Sequence, residues 1–157
     1  MKVQEIMTRD VRVCSPDADL ATVGKLMGAL MGASRFGCVP VTENGKVVGM
    51  ITDRDICLAL ATRDVKPSKL LAKEVMTKDV HAQHPDQDIR VALETMRRVR
   101  VRRLPVIDDH HQLQGIVSLD DVVLHARGVE TPGFSGPLFA DVALTLKAIC
   151  EPAKKAA

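Results

Sequence analysis

Two eight-residue stretches carry the residue types best suited to chemistry. One is GMITDRDI, residues 49–56, and the other is GIVSLDDV, residues 115–122, 66 positions later. Each runs glycine, two apolar residues, a hydroxyl, two variable positions, an aspartate and a β-branched residue. Thr52 with Asp55, and Ser118 with Asp121, fit two roles. As a capping box, the hydroxyl and the acid three residues on satisfy the free N–H groups of a helix start. As a ligand corner, the same helix N-terminus seats a phosphate, and the hydroxyl donates to one of its oxygens. The carboxylate then accepts from two neighbouring hydroxyls, such as the cis-diol of a ribose. The glycine lets backbone approach closely, and apolar strands around Pro40 and Pro105 would wall a flat slot for a base. Both roles can hold together, because a cap pre-organises the corner.

Other reactive residues are less well arranged. The run RRVRVRR, Arg97 to Arg103, has five arginines in seven residues. It reads as a solvated helix end and strand edge with Val99 and Val101 turned inward, or as a phosphate contact. The second reading rests on Arg103, where the run leads into Leu104-Pro105. Nucleic acid is disfavoured, since no aromatic stacking platform accompanies the charge. His110-His111 read as a solvated turn, while His81 and His84 lie in the segment that would line the second corner. Cys14, Cys38, Cys57 and Cys150 form no CxxC or Cys/His cluster and read as buried free thiols of a reducing cytosol. No metal constellation and no nucleophile with an adjacent base is present, so an enzyme is not expected.

The elements that position these residues come from an internal duplication. EIMTRDV, residues 5–11, matches EVMTKDV, residues 74–80, at an offset of 69. Pro16, Asp17, Asp19 and Met27 match Pro85, Asp86, Asp88 and Met96 at the same offset. VPV at 39–41 then matches LPV at 104–106 at an offset of 65, four residues less. Four residues are about one helical turn, which predicts a helix one turn longer in the first repeat. Leu20, Val23, Met27, Leu30 and Met31 have helical spacing, answered by Ile89, Ala92, Leu93 and Met96. Ser15-Pro16-Asp17 suits the helix start. Two strands follow in each repeat, the first pair joined by Asn44-Gly45, the dipeptide of a type I′ hairpin. Gly24, Gly28 and Gly32, with Ala29 and Ala33 adjacent, mark either a close helix–helix contact or a helix ending near Gly28. Residues 127–137 read as loop. Beyond them Leu138, Val142, Leu146 and Ile149 share a helical face that must cover a surface of this chain or of a second subunit.

At 157 residues, 46% apolar, 27% charged and net +2, the chain has the balance of a globular domain. It has no apolar signal region or membrane-length apolar run and reads as cytoplasmic. The expected division is residues 1–62 as the first repeat, 63–71 as linker, 72–126 as the second repeat and 127–157 as loop and C-terminal helix.

The duplicated EIMT and EVMT segments, the VPV and LPV strands and the G-x-x-[ST]-x-x-D octets together resemble a tandem of CBS domains, a Bateman module. The resemblance covers nearly all of residues 3–126 and implies a mixed α/β fold: two β-α-β-β-α repeats packed sheet to sheet as a pseudo-twofold pair. It further implies adenosine-ligand sites in the cleft between repeats, for AMP, ADP, ATP or S-adenosylmethionine, in a non-catalytic regulatory module of the small standalone type. Asp55 and Asp121 match the ribose-binding acids of the family, and Thr52 and Ser118 the hydroxyls near ribose and phosphate. Backbone around Val13, Pro40, Ala82 and Pro105 matches the adenine slot. Arg54 could reach a phosphate, whereas its counterpart Asp120 would repel one, so two unequal sites are expected. A homodimer through the CBS helices and a regulated partner protein are implied as well. The alternative is a ligand-free interaction module, in which the octets are only caps. Similar modules are inserted in inosine-monophosphate dehydrogenases, but the catalytic barrel needs about 250 residues of its own.

Overall fold

The computed structural model describes residues 1–30 and 37–152. They fall into two compact units that each draw on both repeats. Residues 10–80 with 111–113 form the first-repeat unit; 1–9, 81–110 and the chain from 114 onward form the second-repeat unit.

In the first-repeat unit the Asp19 carboxylate accepts from the N–H groups of Ala21 and Thr22, both at 3.0 Å, and opens helix α1, Leu20–Leu30. Leu20, Val23 and Met27 recur at helical spacing and are buried. Strands β1, Cys38–Glu43, and β2, Lys46–Thr52, pair antiparallel with a register shift between Val41 and Thr42. Asn44 and Gly45 at their turn have φ of 52° and 78°, the positive pair that a type I′ turn requires. The chain then enters helix α2, Asp53–Arg63, and reaches the four-residue helix α3, Ala72–Val75. Leu20, Val23 and Met27 of α1 meet Val39, Val41 and Ile51 of the hairpin, with Cys14, Ala59, Leu70 and Ala72 closing the core. Each fully buried aliphatic side chain contributes roughly 1.5–3 kcal/mol.

The second-repeat unit repeats this plan. Asp88 accepts from Arg90 N–H at 2.9 Å and opens helix α4, Ile89–Val99. Strands β3, Arg103–Ile107, and β4, Leu113–Ser118, form its sheet, followed by helices α5, Leu119–His125, and α6, Phe139–Cys150. Ile89, Ala92, Leu93 and Met96 of α4 are buried against Leu104, Val106 and Val117. Val3, Ile6 and Met7 of the leading segment and Val142 of α6 complete this core.

Several sequence expectations are refined here. The first strand of each expected β-α-β-β-α unit is reduced to a single parallel bridge, Cys14 to Val41 and Gln83 to Val106. Ser15-Pro16-Asp17 forms a turn, with Ala18 N–H donating to Ser15 O at 3.1 Å, and the helix cap is Asp19. The helix is described through Leu30, two residues beyond Gly28, and nothing lies within 4 Å of a Cβ placed at Gly24 or Gly28. Gly32, Ala33, Met31 and the expected extra turn lie outside the described residues. Helix α6 packs on α4 of its own chain. Its buried residues are Val142 and Thr145, whose hydroxyl donates to Asp141 O at 2.8 Å; Ile149 is partly buried against the same core, while Leu146 is 40% exposed. All four cysteines are free thiols, but only Cys14 and Cys38 are buried; Cys57 and Cys150 are exposed.

Candidate functional site

Both octets end a strand and start a helix. Thr52 closes β2 in extended conformation, and its hydroxyl accepts from Asp55 N–H at 3.1 Å. Asp55 Oδ2 in return accepts from Thr52 N–H at 2.9 Å and from Thr52 Oγ1 at 2.7 Å. Ser118 and Asp121 repeat the arrangement: Asp121 Oδ2 accepts from Ser118 N–H at 2.8 Å and from Ser118 Oγ at 2.6 Å. The capping box is therefore realised in both octets. Each carboxylate uses one oxygen for the cap, and none of the described hydrogen bonds engages Oδ1 of either residue. That oxygen remains able to accept from a diol.

Each unit gathers its own set of the expected residues. Val13, Pro40, Thr52, Arg54 and Asp55 belong to the first-repeat unit, and Ala82, Arg103, Pro105, Ser118 and Asp121 to the second. Pro40 O accepts from Cys14 N–H at 3.2 Å, and Pro105 O from Gln83 N–H at 2.9 Å, which lays Val13 and Ala82 alongside the proline-bearing strands. Pro40 pairs with Met50, two residues before Thr52, so slot and corner share one end of the hairpin. Pro40 and Pro105 are buried, Asp55 and Asp121 half-buried, Arg54 exposed and Val13 40% exposed.

The glycines that open the octets have a definite structural reason. A Cβ on Gly115 would lie 2.7 Å from Thr8 O, and one on Gly49 would run into Met76 Sδ. The close approach is thus by the EIMT and EVMT segments. Thr8 exchanges both backbone hydrogen bonds with Ile116, each 2.9 Å, and Thr77 does the same with Met50 at 2.8 and 3.0 Å. The EIMT segment therefore sits on the octet of the second repeat, and EVMT on that of the first.

Charge at the two corners differs as the octets do. Arg54 carries no described ion pair, whereas Arg103 Nη2 lies 3.5 Å from Asp120 Oδ2. Asp120, expected from its octet to repel a phosphate, is answered by this arginine from β3, a pairing across 17 residues that local spacing does not reveal. His84 Nε2 lies 3.4 Å from Asp109 Oδ1, and His111 occupies the left-handed region at φ 62° in the β3–β4 turn. Among the described residues no group of three or more His, Cys, Asp or Glu is placed to hold a metal ion. No helix among them is long and apolar enough to cross a membrane.

The family model of the CBS domain matches residues 3–62 and again 72–128. The chain belongs to the CBS domain family. It is 31% identical over 131 residues to the CBS domain-containing protein YhcV of Bacillus subtilis, covering 83% of this chain and 89% of that one. It is 36% identical over 122 residues to the inosine-5'-monophosphate dehydrogenase of Methanocaldococcus jannaschii, covering 78% of this chain but only 23% of the enzyme. Among solved structures, it resembles the CBS domain pair of protein MJ0100 in complex with 5'-methylthioadenosine and S-adenosylmethionine. That likeness has a TM-score of 0.70 at 25% identity and covers 80% of this chain and 98% of that one.

Proposed function

We propose that this CBS pair is a non-catalytic regulatory module that binds an adenosine-containing ligand and signals its presence to a partner protein. The observation that carries this reading is the corner made twice: a hydroxyl and a half-buried carboxylate at a helix start, beside a buried proline strand. The complex of MJ0100 with two adenosine ligands supports the ligand class. Asp55 and Asp121 would take the ribose diol through Oδ1; Thr52 and Ser118 would meet the phosphate or sulfonium side only by turning their hydroxyl hydrogens away from Asp Oδ2. Backbone at Val13, Pro40, Ala82 and Pro105 would face the base. Arg54 is available to a phosphate, while Arg103 is shared with Asp120, so the two corners bind unequally. Regulation follows from differential affinity: ligand stabilises one state of the chain, and a partner or second copy responds to that state.

A ligand-free interaction module is the second reading. It is favoured by the capping boxes themselves, which give both octets a complete structural use. Calorimetric titration of the full chain with AMP, ADP, ATP and S-adenosylmethionine separates the two. Micromolar binding of one of them, weakened at least tenfold in Asp55→Glu or Asp121→Glu, supports the sensor. Heat from none of the four, in folded protein free of carried-over ligand, supports the interaction module.

A further inference from the structure

Helices α4 and α6 border a groove of about 650 Å³, open to solvent, in the second-repeat unit, lined by Arg90, Leu93, Glu94, Arg97, Arg98 and Asp141. That volume lies within the roughly 300–1,000 Å³ of small-molecule sites. None of Ala82, Arg103, Pro105, Ser118 or Asp121 lines it, so it is separate from the corner described above. We propose that this cavity is a second ligand site, for a small polyhydroxylated molecule carrying a phosphate at each end.

The spacing of charge along α4 specifies that chemistry. Arg90 stands at one end and Arg97 with Arg98 at the other, two turns or about 10 Å apart along the axis. Glu94 lies between them, and Leu93 gives an apolar floor. A guanidinium presents a fork of donors that matches a phosphate, and a carboxylate accepts from hydroxyls while repelling a phosphate placed in the middle. Anion, hydroxyls, anion is the complementary order.

None of the described ion pairs engages Arg90, Arg97 or Arg98, although Glu94 lies one turn away. Arg97 Nε is buried and has no hydrogen-bond partner among the described residues. A buried donor without an acceptor is unfavourable, so an acceptor brought to this end of the cavity by a ligand would be favoured. Asp141, which also lines the cavity, makes no described hydrogen bond to Arg97; its Oδ2 accepts from Leu138 N–H at 2.9 Å as a helix cap. Arg90 Nη2 donates to Gly136 O at 3.2 Å, which steadies that side chain and leaves its other N–H groups for a ligand.

The test is titration of the full chain with fructose 1,6-bisphosphate, fructose 6-phosphate, inorganic phosphate and citrate. The bisphosphate is expected to bind at least tenfold tighter than the other three and to weaken as salt rises. Arg97→Gln and the exposed Arg98→Gln should each weaken it at least tenfold, with Arg103→Gln unchanged. Equal binding of bisphosphate and monophosphate, no binding of the bisphosphate, or equally tight binding of citrate would overturn the assignment. So would undiminished affinity in Arg98→Gln, which keeps the test decisive if Arg97→Gln fails to fold. Competition of the bisphosphate by AMP would place it at the octet corner and overturn this site while leaving the adenosine reading intact.

Discussion

Asp55 and Asp121 each serve a helix cap through one carboxylate oxygen, and their second oxygen is open to a ligand. The two duties separate by substitution. Asp55→Ala or Asp121→Ala removes the reciprocal half of the capping box, leaving the hydroxyl cap in place, and should cost about 1 kcal/mol, lowering the thermal midpoint by roughly 2–4 °C. Asp55→Glu keeps an acid suited to a capping box but moves the carboxylate, so stability should hold while nucleotide affinity falls. Thermal melts with and without ligand read both effects. At the octet glycines the contacts decide between substitutions of the same kind. A methyl at Gly115 meets the backbone of Thr8, which cannot turn aside, whereas one at Gly49 meets the Met76 side chain from Sδ back to Cβ, most of which can swing away. Gly115→Ala should therefore cost roughly 1–3 kcal/mol, as overpacking does, and Gly49→Ala less. Equal urea midpoints for the two variants would contradict this account.

At the scale of elements, the leading segments act as short extra strands on the hairpins. Thr8 and Ile116 exchange two backbone hydrogen bonds in one unit, as Thr77 and Met50 do in the other. Thr8→Pro removes the N–H that donates to Ile116 O and should destabilise the second-repeat unit by roughly 1–3 kcal/mol. Native-state hydrogen exchange should then speed up at Ile116, whose N–H donates to Thr8 O, with Met50 in the other hairpin little changed. Helix α6 has a comparable role: Val142 is 8% exposed and belongs to the core built on α4. Val142→Ala should cost about 2 kcal/mol, read from the shift of the denaturant midpoint.

At the scale of the whole molecule, two cores exclude water from some thiols and leave others in it. Cys57 and Cys150 are exposed while Cys14 and Cys38 are buried, so a thiol reagent should modify two sulfurs rapidly and two only on unfolding. Burial pushes the Cys14 thiol up to about 11 from its ordinary 9.0. The folded chain holds that proton while the unfolded chain releases it. This contribution is therefore complete below pH 9 and is lost as pH rises toward 11. Urea denaturation between pH 8 and 10.5 should show falling stability, with a shallower fall in Cys14→Ala.

The sequence by itself determined the duplication, the hairpin at Asn44-Gly45, the apolar faces of α1 and α4 and the helix starts at both octets. These follow from local causes: side-chain period, positive-φ turn residues and the reach of an acid three residues from a hydroxyl. Asp19 and Asp88 were visible as a matched pair, yet the local pattern favoured Ser15-Pro16-Asp17 as the helix start. Only tertiary structure decided that each leading segment sits on the hairpin of the other repeat, because two closely similar segments give no local preference between two similar hairpins. It also decided that Arg103 answers Asp120, that α6 covers α4, and that Arg90, Arg97 and Arg98 border a cavity. Those relations depend on which surfaces meet, and a chain read residue by residue does not contain them until its cores have formed.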